Sequence, residues 1–372
     1  MKKIALLGLS LLLIGACKKD SDTDGTDGGN GGGSSSGMQA YIGIEGTSPN
    51  GISSLALYNV TNQSIENNVF RKANINPMGS QLSDMMLDKS RNQLVLIVPG
   101  SNKIVFVDAK TLKIKFQTRD LLQIRKVAQV SDNLYYVTCP ELPGYYVINA
   151  NNGNVVDEIT FDVGVNQTEI AVWEDLAFIC NNGDPISKDS TVSIVRTTED
   201  TLVTNLIVGH SPNSFVIDDA NQLWILCSGD LNVADPTQSG AGSLWMYNLD
   251  TMYRDIDSGW AIAPDTVKYF VDNQLRPHYL THDEAGDNLY YITNLPTGDI
   301  AVTNTNVSIL NENPIVEDNF YALAFDPINL ELYGMRTPDD IEKNGALQIF
   351  DPVGSKKTSI TIGVKPNNVV FK

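Results

Sequence analysis

The thirteen residues FVIDDANQLWILC, Phe215 to Cys227, decide the fold. An apolar run ends in Asp218, a polar stretch through Asn221 and Gln222 turns the chain, and Leu223 opens a second apolar run. Both runs are too short for helices, rich in aromatic and branched residues, and bounded by turn formers, which reads as a β-hairpin. The pattern recurs as MMLDKSRNQLVLIV from Met85, VAQVSDNLYYVTC from Val127 and IAVWEDLAFIC from Ile170. It returns as YLTHDEAGDNLYYITN from Tyr279 and ALAFDPINLELYGM from Ala322. Taking the leucine as marker (Leu94, Leu134, Leu176, Leu223, Leu289, Leu332), the spacings are 40, 42, 47, 66 and 43 residues.

A third strand follows each hairpin and closes in a polar turn, as in IVFVDAKT, YYVINANN, LWMYNLDT and LQIFDPVG. A more polar fourth strand completes the unit, for instance IKFQT or VDEITFDVG. Four short strands per ~40–45 residues mark the blade of a β-propeller, and no helical periodicity competes. The two ends fit together. Asn367-Asn368-Val369-Val370-Phe371 matches the first strand of a blade and stops there, whereas Gln39-Ala40-Tyr41-Ile42 reads as a second strand, with SSLALYNVT third and SIENNVF fourth. One blade is therefore split between the termini, which closes the ring and removes two sheet edges. The expected fold is all-β, a seven-bladed propeller of four-stranded antiparallel blades. Eight is the rival count, because the fourth repeat carries about twenty extra residues.

In such a ring, the loops entering the innermost strands and the loops between second and third strands open on one face. Aligning the repeats puts one residue per blade at the mouth: Ser83, Arg125, Thr168, Asn213, His278, Tyr321 and Asn367. Several sit in proline turns (SPNS, RPHY, KPNN), so turn-making competes with ligand binding as the reason for each. Together they describe a concave, hydrogen-bonding site. The rim comes from loops that contribute Glu45, Tyr145, Asn181 and Asn294 as further candidate ligand contacts. The longest, SGDLNVADPTQSGAG from Ser228, offers Asp230, Asn232 and Asp235 as oxygen ligands for calcium but lacks a distal bidentate Glu.

Catalysis finds little support. The only histidines are His210, His278 and His282, and the last two lie about 13 Å apart along one strand, too far to share a metal. No Gly-x-Ser-x-Gly elbow, P-loop or dinucleotide fingerprint is present, although a lactonase-like activity built from scattered loops remains the enzymatic alternative.

The N-terminus decides the compartment. Lys2 and Lys3 precede the apolar run Ile4 to Ile14, followed by Gly15-Ala16-Cys17. The run is too short to span a bilayer and has the charge order of an export signal. Cysteine directly after Gly-Ala resembles a lipobox, so residues 1–16 are expected to be a signal peptide and Cys17 the lipidated residue. Residues 17–37 form a Gly/Ser/Asp-rich tether of roughly 25 Å, with the propeller occupying 38–372. Formal charge is −18, which repels nucleic acid phosphates and anionic membranes and argues against nucleic acid as a partner. Beyond Cys17, Cys139, Cys180 and Cys227 each end an apolar run and read as buried free thiols.

YIGIEG, SSLALYN, IENNVFRKAN and NPMG (Tyr41 to Gly79), with GSNKIVFVDAKTLK (Gly100 to Lys113), resemble the YncE-like propeller lipoproteins of Bacteroidetes. Within that group the chain is similar to the BtuG-type cobalamin-binding surface proteins. The acidic segment after Cys17 likewise resembles that of surface-exported lipoproteins. The resemblance implies an outer-membrane, surface-exposed lipoprotein that captures a small molecule, cobalamin or a related corrinoid, and passes it to a TonB-dependent outer-membrane receptor. No cofactor is required in that role; cobalamin would be cargo. The alternative is a protein- or glycan-interaction propeller without cargo.

Overall fold

The computed structural model describes residues 38–372 except 48–50, 161–163, 165, 184–187, 231, 233, 284 and 341. The expected signal peptide, Cys17 and the tether lie outside the described residues. Gly37–Lys372 forms one compact unit, and among its described residues no helix is long and apolar enough to cross a membrane.

The second strand of each sequence repeat is the most apolar because both of its faces are covered. Gln93–Val98 is buried at every position, and Leu134–Cys139 and Gln222–Cys227 nearly so. Fourth strands alternate or expose their side chains, as Val155–Thr160 and Lys356–Thr361 do. This gradient from buried to solvated is the physical origin of the polarity drift along each repeat.

The strands pair antiparallel into propeller blades. The expected set of seven separate four-stranded blades is corrected. There are five four-stranded blades and one seven-stranded sheet. The merger has a simple cause in the thirteen-residue strand Pro314–Asp326. Its first part pairs with Gly298–Asn304 and its second with Glu331–Arg336, so the last two sequence repeats share one uninterrupted strand. The inner strands pack side by side in the order Asp84–Asp88, Val127–Ser131, Gln167–Trp173, Pro212–Ile217, His278–His282, Pro314–Asp326 and Pro366–Phe371. The last of these lies back against the first, closing the ring.

Closure is as the termini lead one to expect. Gln39–Ile44 pairs on one side with Ser54–Asn59 and on the other with Pro366–Phe371, in the register Ala40↔Phe371 to Gly43↔Asn368. Its side chains alternate between two cores. Tyr41 packs with Leu55, Leu94 and Val105 toward the next blade, whereas Ala40 and Ile42 pack with Tyr333, Met335 and Leu347 toward the previous one.

The aspartate that ends the first strand of several repeats is an anchor. Asp88 accepts hydrogen bonds from the Arg91 backbone N–H (3.0 Å), Ser90 Oγ (2.6 Å) and, across the blade interface, Tyr135 Oη (2.6 Å). Asp218 accepts from the Ala220 and Gln222 N–H groups and from Trp224 Nε1 (3.0 Å). Asp326 accepts from Ile328 N, Asn329 N and Tyr333 Oη.

Two short helices depart from the all-strand expectation. Val69–Ala73 (α1) occupies part of SIENNVFRKA, where only Ser64–Glu66 is strand. Leu249–Ser258 (α2) accounts for half of the extra residues in the fourth repeat. Asn248 caps α2 by accepting from Thr251 N, Gly259 ends it at φ 67°, and Leu249 and Met252 bury its inner face. Arg196 ties the helix to the preceding blade through Asp175 (2.8 Å) and Asp257 (2.9 Å). Cys139, Cys180 and Cys227 are buried free thiols, as their positions imply, and burial pushes their pKa values up.

Burial opposes the Asp88 carboxylate, but the bonds from Ser90, Tyr135 and Arg91 prevail and hold its pKa below the ordinary value. Its stabilisation is therefore present above about pH 4 and lost as pH falls through the folded-state pKa. Asp88→Asn should cost about 1–3 kcal/mol at pH 7. In urea unfolding, the gap between variant and wild type should narrow when the measurement is repeated at pH 3.

Candidate functional site

The mouth of the ring is built by a recurring backbone device. Two positions before Ser83, Arg125, Thr168, Asn213 and Asn367 stand Gln81, Gln123, Asn166, Ser211 and Lys365, all left-handed, with φ of 60°, 52°, 62°, 55° and 51°. A non-glycine residue there is strained, and strain repeated around a ring is held in place by the surrounding fold. The turn delivers the following residue to the mouth. At His278 the solution differs. Tyr279 has φ 54° and the register shifts between His278 and Thr281, so two adjacent rings reach the same cavity instead of opposite faces.

Two adjoining cavities open there. One, of about 370 Å³, is lined by Glu45, Ser83, Arg125, Lys126, Tyr321 and Asn367 among others. The second, of about 350 Å³, includes Thr168, Glu169, Asn213, His278, Leu295 and Pro296 in its wall. Arg125, Lys126, Tyr279 and Tyr321 line both. The structure thus brings together all seven mouth residues and Glu45.

Some of these side chains also stitch neighbouring blades. Ser83 Oγ donates to the Arg125 carbonyl (2.8 Å), Asn367 Nδ2 to the Leu82 carbonyl (2.6 Å), and Asn213 Nδ2 to the Pro277 carbonyl (3.1 Å). Tyr279 Oη donates to the Asn367 carbonyl (3.1 Å), and Tyr321 Oη to Glu45 Oε2 (2.8 Å). Other polar atoms are left over. Thr168 Oγ1, Asn213 Oδ1, Asn367 Oδ1 and both ring nitrogens of His278 are buried without a hydrogen-bond partner.

Three candidates fall elsewhere. Tyr145 is not a rim residue. It lies within the strand Gly144–Asn149, fully buried, its ring stacked 4.1 Å from that of Tyr136. Asn181 belongs to the strand Leu176–Gly183 and is buried, its Nδ2 donating to Thr191 Oγ1 and Ser193 Oγ. Asn181 lies where the sequence suggested a loop because the second strand runs on past its apolar core, whereas Tyr145 opens the stretch YYVINANN and its pairing with Thr138 and Ile159 draws it into the blade. Asn294 is half-buried and accepts from the Arg276 backbone N–H (3.0 Å), a loop-shaping role outside both cavities. The calcium candidates are likewise engaged locally. Asn232 Oδ1 accepts from Ala234 N and Asp235 N, and Asp235 Oδ1 from Thr237. Among the described residues no group of three His, Cys, Asp or Glu side chains could hold a metal.

The repeat alignment overlooked the layer just below the mouth. Lys126 Nζ lies 3.1 Å from Glu169 Oε2 and 3.5 Å from Asp84 Oδ1, bridging three consecutive inner strands. Burial pushes both carboxylates above their ordinary pKa, with Lys126 pulling the other way. Burial opposes the Lys126 ammonium too, but the two carboxylates outweigh it and its pKa is raised. Tyr279, beside this cluster, is pushed up to about 12, chiefly by burial. The available signal was positional. Asp84, Lys126 and Glu169 each follow the mouth residue of their repeat by one place.

Arg125 contrasts with Lys126. It is exposed, and its guanidinium makes no hydrogen bond or ion pair with a described residue. The walls around it displace enough water to pull its pKa down, yet a guanidinium stays cationic. His278 is 5% exposed; burial pulls its pKa to about 3, against a weak opposing effect of the Arg276 backbone.

Lys126→Met should leave two buried carboxylates uncompensated and cost about 3–5 kcal/mol at pH 7. Part of that loss should return toward pH 5 as Asp84 and Glu169 take up protons, measurable by denaturant titration at both pH values. For His278, nitrogen NMR should show a neutral imidazole throughout pH 5–8, with protonation only near pH 3.

The fold has relatives of low sequence identity. A quinonprotein alcohol dehydrogenase-like protein from Bacteroides thetaiotaomicron aligns with a TM-score of 0.65 at 12% identity, covering 89% of this chain and 77% of its own. Hydrazine synthase from Kuenenia stuttgartiensis aligns at 0.58 and 9% identity, over 84% and 90% of the two chains. The β-propeller domain of Myceliophteria thermophila Cps50 (Swd1) aligns at 0.56 and 9%, over 76% and 88%. At such identities the likeness shows the propeller fold alone. No curated protein matches the sequence. A family match spans residues 40–238, more than half of the chain, and on that basis the chain belongs to the family described as "Domain of unknown function (DUF5074)".

Proposed function

We propose that this propeller is a binding module whose ring mouth captures a small molecule, without catalysing its conversion. The observation that carries the reading is the uncommitted, accessible Arg125 at the junction of two cavities whose walls hold unpartnered buried polar atoms. Buried polar groups without partners are costly unless something satisfies them. A concave site with a few convergent polar groups and a combined size in the range of small-molecule pockets supports the same reading.

The finer proposal rests on the resemblance of Tyr41 to Gly79 and Gly100 to Lys113. In it the chain is a lipoprotein, anchored through Cys17 to the outer membrane and displayed at the surface. It takes cobalamin or a related corrinoid and delivers it to a TonB-dependent receptor. The second reading, a glycan- or protein-interaction surface, is favoured by a different feature. A groove of about 400 Å³ beside α2 carries the exposed apolar side chains of Trp260 (63%) and Ile207 (69%).

Titration calorimetry of the purified protein against cyanocobalamin and cobinamide separates the two. One-to-one binding, weakened at least tenfold by Arg125→Ala or Tyr321→Ala, is the expected result. Absence of heat, with no colour retained by the protein on a desalting column, removes corrinoids as cargo. If binding survives both substitutions but is lost in Trp260→Ala, the site belongs to the groove beside α2.

A further inference from the structure

The charged groups at the mouth are unequally committed to partners, and this restricts what it binds. Lys126 is spent on Asp84 and Glu169, a cluster with one more negative than positive charge. Arg125, the preceding residue, has no such partner although Glu45 lines the same cavity. Glu45 instead accepts from the Tyr321 hydroxyl at 2.8 Å, and among the described residues no ion pair joins it to Arg125. In a chain of formal charge −18, carboxylates are plentiful, so an arginine left bare in a concave site is a local exception to the overall field. Its planar fork matches carboxylate and phosphate oxygens in two-point contact.

The second cavity shares Arg125 with the first and adds no further uncommitted charge: Glu169 in its wall is paired with Lys126, and His278 is neutral. What it does supply is neutral hydrogen-bonding capacity with no present partner: Thr168 Oγ1, Asn213 Oδ1 and one donor and one acceptor nitrogen of His278.

We infer that the occupant carries an anionic group, a carboxylate or a phosphate, seated on Arg125, and a neutral amide- or hydroxyl-bearing part lying against Thr168, Asn213 and His278. This rests on the small-molecule reading above and specifies the chemistry that the site selects.

The test uses small probes and NMR of the Arg125 Nε–Hε and His278 ring resonances. N-acetylglycine carries both groups, N-acetylglycinamide only the neutral one, and inorganic phosphate only the anionic one. N-acetylglycine should bind at least tenfold more tightly than N-acetylglycinamide and perturb both side chains. Phosphate should perturb Arg125 alone, and if it displaces N-acetylglycine at equal concentration the natural group is a phosphate rather than a carboxylate. Arg125→Gln should abolish the tenfold preference, Arg125→Lys should restore part of it, and His278→Phe should weaken both amide probes while sparing phosphate. Equal binding of the charged and neutral probes, an unchanged preference in Arg125→Gln, or no perturbation at Arg125 by any probe overturns the inference. Corrinoid binding with Arg125 unperturbed would overturn it while leaving the capture reading intact. Probe discrimination without corrinoid binding would uphold it while removing corrinoids as cargo.

Discussion

A four-stranded blade cannot bury its own faces, and everything in this molecule follows from that constraint. Each sheet must be covered on both sides by its neighbours, so the sheets stand in a ring, and the ring must close. Here closure is a backbone event, the pairing of Gln39–Ile44 with Pro366–Phe371, backed by two hydrophobic cores that share the same strand. Without it, one strand at each end would present an open edge and an apolar face to water. The aspartate anchors Asp88, Asp218 and Asp326 act at the turns of their repeats. They pin the first turn and, at Asp88, reach across the interface to Tyr135 of the next blade.

The same ring explains where polarity is permitted. Second strands are covered by the neighbouring blades and are predominantly apolar, fourth strands face solvent, and inner strands pack side by side around the ring. Three consecutive inner strands are joined by the Asp84–Lys126–Glu169 cluster, a buried group that is costly unless its members stay together. Directly above, strained left-handed turns present the mouth residues. A rigid scaffold with strain concentrated at one face is the usual physical setting of a binding site, since the scaffold holds side chains in positions they would not choose alone.

Much of this was legible beforehand. The Asp–turn–Leu hairpin in FVIDDANQLWILC and its recurrences identified the blades, because a strand covered on both faces must be continuously apolar and its turns must be polar. The matching ends identified closure. Ser83, Arg125, Thr168, Asn213, His278, Tyr321 and Asn367, aligned by the repeat, line one pair of cavities, since repeats place equivalent residues at equivalent radii. Asn181 falls inside a strand because strand length beyond the apolar core leaves no mark in composition, whereas Tyr145, at the boundary between rim loop and strand, is buried by neighbours from other parts of the chain, Tyr136 among them. Helix α2 has too few residues for a clear periodicity, although Asn248 and Gly259 are ordinary start and stop signals.

The sequence by itself determined what depends on local pattern: the strands, their repeat, the closing pair of ends, and which residue of each repeat stands at the mouth. Tertiary structure alone decided what depends on partners from different repeats. It merged the last two repeats through Pro314–Asp326, because pairing of a long strand depends on where its neighbours lie. It joined Lys126 to Asp84 and Glu169, and Tyr321 to Glu45 across 276 positions of chain, leaving Arg125 unpaired. Charge balance at a point in space is set by residues distant in sequence, and only the folded ring brings them within reach of one another.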